Sequence, residues 1–155
     1  MSEVNVVECA AGGAPNRDGG KMFDKILVPV DTAHASSYTK ALPLAAEEAR
    51  HHGASLTVMT VVPDVEPVTA ERVETEDEQT RLDAIVQQHG PSDMQIETRV
   101  ERGDSVHKTI RQKAEQLGCD LIVMNSHHPE LKDYVLGSNA SQVVHHAKCS
   151  VFVVR

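Results

Sequence analysis

The feature that most restricts this chain is a set of five short, nearly unbroken aliphatic runs, at residues 26–30, 56–62, 94–100, 121–124 and 151–154. A strand with one wet face alternates apolar and polar residues, whereas continuous runs such as Leu121-Ile122-Val123-Met124 belong to strands covered on both faces of a parallel sheet. Between the runs, apolar residues recur at helical spacing. Tyr38, Ala41, Leu42, Ala45 and Ala49 form one stripe, stopped by Gly53, and Pro43 is tolerable there if the helix begins near Thr39 or Lys40. Val106, Ile110, Ala114 and Leu117 form another, capped by Asp104 or Ser105 and ended by Gly118. A last helix opens at Gly137-Ser138-Asn139, with Ser138 as a natural N-cap, and carries Ala140, Val143, Val144 and Ala147. Strands alternate with helices throughout, which predicts an α/β, doubly wound, five-stranded parallel sheet with right-handed crossovers and helices on both faces.

Two stretches interrupt this pattern. Residues 64–83 hold eight acids and two bases and read as a solvated acidic connection, leading into a helix marked by Leu82, Ile85, Val86 and His89. A partner-recognition segment is the other reading of that acidity. Residues 1–21 include Ala-Ala-Gly-Gly-Ala-Pro and Asp-Gly-Gly and show no periodic apolar face, so they are expected to form a flexible tail before a single domain at 22–155. At 155 residues the chain is long enough to bury roughly 70% of its unfolded surface without disulfides or metals.

Composition then narrows the function. Aromatic residues make up 3% and the formal charge is −8, so base-stacking platforms and a polynucleotide groove are not expected. Acidity leaves room for one small phosphate ligand held by backbone amides, because such a site works through local dipoles. No run approaches the ~18 apolar residues of a membrane span, and the chain is expected to be cytoplasmic. Cys9, Cys119 and Cys149 are odd in number and far apart, as suits ordinary thiols in a reducing compartment.

Ligands of a doubly wound sheet bind beyond the carboxyl ends of its strands, where strand order reverses. If the order is 3-2-1-4-5, that point lies between the first and fourth strands. There Pro29-Val30-Asp31 would face Met124-Asn125-Ser126-His127-His128 across one crevice. Asp31 would accept hydrogen bonds from a ribose or an adenine amino group, or else cap the turn into the first helix. The free amides around Gly137-Ser138-Asn139 would bind a phosphate, or would form an ordinary helix start. The paired histidines at 51–52 and 145–146 read as surface residues, since helix neighbours point about 100° apart and chelate poorly. His127 and His128 differ in bordering the crevice, where they would touch phosphate or ribose or titrate near neutral pH. The P-loop, dinucleotide, nucleophile-elbow and zincin signatures are all missing.

The runs Lys25-Ile26-Leu27-Val28-Pro29-Val30-Asp31, Asp120-Leu121-Ile122-Val123-Met124, Leu136-Gly137-Ser138-Asn139-Ala140 and His146-Ala147-Lys148-Cys149-Ser150-Val151-Phe152-Val153-Val154 together resemble the universal stress proteins. The resemblance covers residues 22–155 and implies a Rossmann-like sheet of order 3-2-1-4-5, a homodimer through the C-terminal strand and, in one branch, ATP or a related adenine nucleotide, with Mg²⁺ accompanying the phosphates. The nucleotide-binding pattern of that branch is Gly-x2-Gly-x9-Gly-Ser/Thr. Here Asn125 and His128 replace the two early glycines, Gly137-Ser138 remain, and the spacer is one residue shorter. The loop Ser126-His127-His128-Pro129 resembles the Ser-His-x-Pro form of the F/G-type members. Position by position, the resemblance implies adenosine contacts at Pro29, Asp31, Val61 and Met124, with Asn125, His127, His128, Gly137, Ser138 and Asn139 near ribose and phosphates. It implies a stress-response or regulatory role. Slow ATP hydrolysis, with His127 or His128 as base, is the most catalysis expected. A nucleotide-free dimeric interaction module of the same fold is the alternative.

Overall fold

The computed structural model describes residues 4–7, 21–64, 68–126 and 136–155, with the backbone alone described at 4–7 and 68–75. In chain order the elements are β1 (Val4–Val7), β2 (Lys25–Pro29), a 3-10 turn (Ala35–Ser37), α1 (Ala41–His52), β3 (Ser55–Val62), α2 (Val68–His89), β4 (Ile96–Arg102), α3 (Val106–Leu117), β5 (Leu121–Asn125), α4 (Ser138–His146) and β6 (Ser150–Val154). Strands β2 to β6 form the parallel sheet in the order β4-β3-β2-β5-β6. This is the order 3-2-1-4-5 counted over the five aliphatic runs.

The period of two along each strand divides the core between the sheet's faces. Ile26, Val28, Leu56, Val58, Leu121 and Val123 pack with Leu42, Ala45 and Ala49 of α1 and Leu82 and Ile85 of α2. Leu27, Met59, Ile122, Met124, Val151 and Val153 pack with Ile110 and Ala114 of α3 and Ala140, Val143 and Val144 of α4. Neither face is wet, which is why the runs are unbroken. Gly53 and Gly118 end α1 and α3 in the left-handed conformation, at φ 62° and 66°, which a glycine adopts without a Cβ clash. Pro43 sits in the first turn of α1, where a missing N–H costs no intrahelical bond. Asp120 ties two strand starts together: its carboxylate accepts the amides of Asp24 (2.8 Å) and Lys25 (3.0 Å), and its carbonyl accepts Ser150 N–H (3.2 Å).

Four expectations need correction. The acidic stretch is helical, because α2 spans Val68–His89 and takes in most of it. Strand β4 runs Ile96–Arg102, where pairing with β3 carries it beyond Val100 through Glu101 and Arg102. Those charges suit an edge strand, whose open side must discourage further pairing. Gly137, and Ser138 no longer, is the N-cap of α4. Finally, the loose tail expected over 1–21 does not hold at Val4–Val7, which pair antiparallel with β6 from Val4↔Val154 to Val7↔Val151. Those residues order by borrowing the open edge of a sheet that already exists. The outer edge of the last strand, through which the resemblance implies a homodimer, is therefore covered by β1.

Cys119 lies just before β5, and burial, helped by the Asp120 carboxylate, raises its thiol from 9.0 to about 11. A thiol held protonated in the folded state contributes stability that is intact below the unfolded value and lost as pH climbs toward the folded one. Unfolding free energy is thus expected to fall between pH 9 and 11 more steeply in the natural chain than in Cys119→Ala. Urea melts of the two proteins across that window check it, and parallel slopes would refute it.

Candidate functional site

The carboxyl ends of β2, β3 and β5 and the amino end of α4 surround a crevice of about 460 Å³, within the usual 300–1,000 Å³ of small-molecule sites. It lies at the switch point, since β2 pairs with β3 on one side and β5 on the other. Pro29, Asp31, Val61, Met124, Asn125, Gly137, Ser138 and Asn139 all line it. His127 and His128 lie outside the described residues.

At one end of the crevice is the start of α4. Its first helical bond is Ser141 N–H to Gly137 C=O (2.8 Å), which leaves the amides of Ser138, Asn139 and Ala140 without an intrahelical acceptor. No side chain caps them among the described residues. These three donors sit at the positive end of the helix dipole, where an anion is favoured. The preceding amide, Gly137 N–H, donates to Ser126 Oγ (3.3 Å), and Ser126 N–H donates to Val154 C=O (2.9 Å). The amino end of α4 is thus tied through Ser126 to the end of β6.

Asp31 follows β2 and is exposed. Its carboxylate accepts Ala33 N–H (3.0 Å) and lies 2.8 Å from His34 Nδ1, so it organises the turn after the strand while facing the crevice. Ser37 Oγ closes the same loop, accepting Asp31 N–H (2.9 Å) and donating to Asp31 C=O (2.8 Å). Of the two roles weighed for Asp31, turn-holding is present in the structure. Asn125 is committed in a similar way, because its side-chain oxygen accepts Ala41 N–H (3.1 Å) at the start of α1.

Sequence reasoning missed Glu78. This α2 residue lines the crevice, and its carboxylate accepts Thr32 Oγ1–H (2.6 Å) while pairing with Arg81 (2.7 Å). The signal was in the helical period: Glu78 precedes the buried Leu82 by four residues, on one face with Ile85 and His89. Among the described lining residues the charged side chains are Asp31 and Glu78, with His34 titratable and no lysine or arginine. Among the described lining residues, the groups suited to an anion are therefore backbone amides.

The universal stress protein family model matches residues 22–155. The chain belongs to the universal stress protein family. Universal stress protein G of Shigella flexneri is 32% identical over 145 residues, covering 86% of this chain and 100% of the relative, in keeping with the F/G-type loop at Ser126. A universal stress protein solved in complex with cAMP aligns at 20% identity with a TM-score of 0.66, over 86% of this chain and 97% of that one. The universal stress protein of Archaeoglobus fulgidus, solved in complex with dAMP, aligns at 21% identity with a TM-score of 0.63, over 85% and 98%. At these identities the two structures speak for the fold shared by universal stress proteins.

Proposed function

We propose that the crevice binds ATP or a related adenine nucleotide, and that the chain acts in cytoplasmic stress response or regulation. One conjunction carries the reading: three open amides at the start of α4 face the same crevice as the apolar side chains of Pro29, Val61 and Met124. An adenine ring would lie against the apolar wall, with its phosphates on the amides. Relatives of this fold solved with cAMP and dAMP support an adenine ligand. Mg²⁺ would be held chiefly by phosphate and water oxygens, since no group of three or more metal-binding side chains occurs among the described residues. Asp31 is the carboxylate nearest in role to a ribose or adenine contact. Two copies would pair through β6 once its outer edge is free.

The two crevice carboxylates, without a lysine or arginine among the described lining residues, favour a second reading, a nucleotide-free interaction module. Calorimetric titration of nucleotide-free protein with ATP, with and without Mg²⁺, separates the two. Saturable micromolar binding, on the order of −8 kcal/mol, is expected, and absence of heat supports the module. In the same titration Asp31→Ala is expected to weaken binding about tenfold, about 1.4 kcal/mol, with a smaller loss of thermal stability. Equal losses would reduce Asp31 to its turn-holding role.

A further inference from the structure

Strand β6 is the last strand of the parallel sheet, and its outer side is taken by β1 through the register Val4↔Val154 to Val7↔Val151. This is the one antiparallel ladder among the described strands. Beneath it β6 is firmly seated: it pairs along its whole length with β5, and Val151, Val153 and Val154 are buried. By contrast, β1 has four residues and pairs with β6 alone. A ladder that short, on one neighbour, is marginal by itself.

The covalent link is also long enough for β1 to depart. Residues 8–24 join it to β2, and a segment of that length reaches up to about 56 Å when extended. The centre of β6 lies only two strand spacings from β2, about 10 Å. Departure of β1 would leave the parallel sheet intact and uncover a row of unpaired backbone donors and acceptors on an aliphatic strand, a template for another strand. A two-fold-related copy offers its own β6 antiparallel to this one, the same polarity that β1 presents, so the contact is self-complementary. One edge admits only one partner.

We infer that β1 is a self-blocking strand: on β6 it keeps the chain monomeric, and its displacement opens that edge to the β6 of a second copy. The inference rests on the proposed pairing of copies through the last strand and adds what controls it. It also places the switch near the crevice, because Val154 C=O accepts the Ser126 N–H whose hydroxyl receives Gly137 N–H.

The test is sedimentation velocity on the full chain and on Asn5→Pro/Val6→Pro, over 1–100 μM, with hydrogen exchange of the β6 amides. Adjacent residues of a strand point their amides to opposite sides, so the double change removes a β6-facing donor whichever residue supplies it. Circular dichroism of the variant confirms that the sheet has formed. The natural chain is expected to sediment as a monomer and the variant as a dimer with at least tenfold tighter association and protected β6 amides. If both dimerise equally, with β6 amides protected in the variant, the blocking role is overturned while pairing through β6 stands. If both stay monomeric, or if the variant dimerises with β6 amides exchanging freely, pairing through this edge fails and the inference with it.

Discussion

Gly137→Val is expected to weaken ATP binding by at least about 100-fold, about 2.8 kcal/mol, with little change in melting temperature. Gly137 is buried, lines the crevice and immediately precedes the three open amides of α4. Its backbone angles, φ −53° and ψ 152°, suit residues other than glycine, so valine introduces no left-handed strain. The expected loss comes from volume, since a β-branched side chain would stand where the proposed phosphate would come within hydrogen-bonding distance of the helix start. Gly137→Ala, adding one methyl, should fall between the two. Calorimetry beside a thermal melt reads both quantities. Unchanged affinity in a folded Gly137→Val protein would move the phosphates away from α4.

The parallel sheet and the helix faces were legible because they follow from burial, and the crevice position followed from them together with the strand order that the family resemblance implies. Runs such as Leu121-Ile122-Val123-Met124 are apolar on both faces only when helices lie on both sides, and a doubly wound sheet of known strand order has a fixed switch point. What escaped notice depends on neighbours distant in the chain. Val4–Val7 is a short run inside a segment with no periodic apolar face, and its partner is an edge that β6 supplies nearly 150 residues later. Glu78 was hidden by its own charge: within an acidic stretch a carboxylate reads as solvated, and only the helix phase fixed by Leu82 turns it toward the crevice. The capping of α1 by Asn125 is of the same kind, joining residues 84 apart in sequence. His127 and His128 lie outside the described residues, and what the family resemblance implies for them is an expectation from sequence.

The docking of α2 leads to the second large effect, because this helix brings Glu78 to the crevice with few apolar anchors. Most of residues 76–89 are charged or amide, and Leu82 and Ile85 are the two that are buried, with Val86 partly so. Leu82 has no exposed surface and packs into the cluster formed with β2, β3 and α1. Leu82→Ala removes that anchor and leaves a cavity between helix and sheet, so a loss of about 2–5 kcal/mol is expected. For a chain of this size each kcal/mol lowers the melting temperature by about 2–4 °C. Glu78→Gln, one turn earlier on the same face, keeps an acceptor for Thr32 and should change stability far less. Denaturant unfolding of both variants gives the comparison. A loss below about 1 kcal/mol for Leu82→Ala would mean that α2 does not depend on this side chain to hold Glu78 at the crevice. If instead Leu82→Ala loses the full amount and Glu78→Gln almost none, the acidic helix is anchored by its apolar residues, and Glu78 is carried to the crevice without helping to hold the helix there.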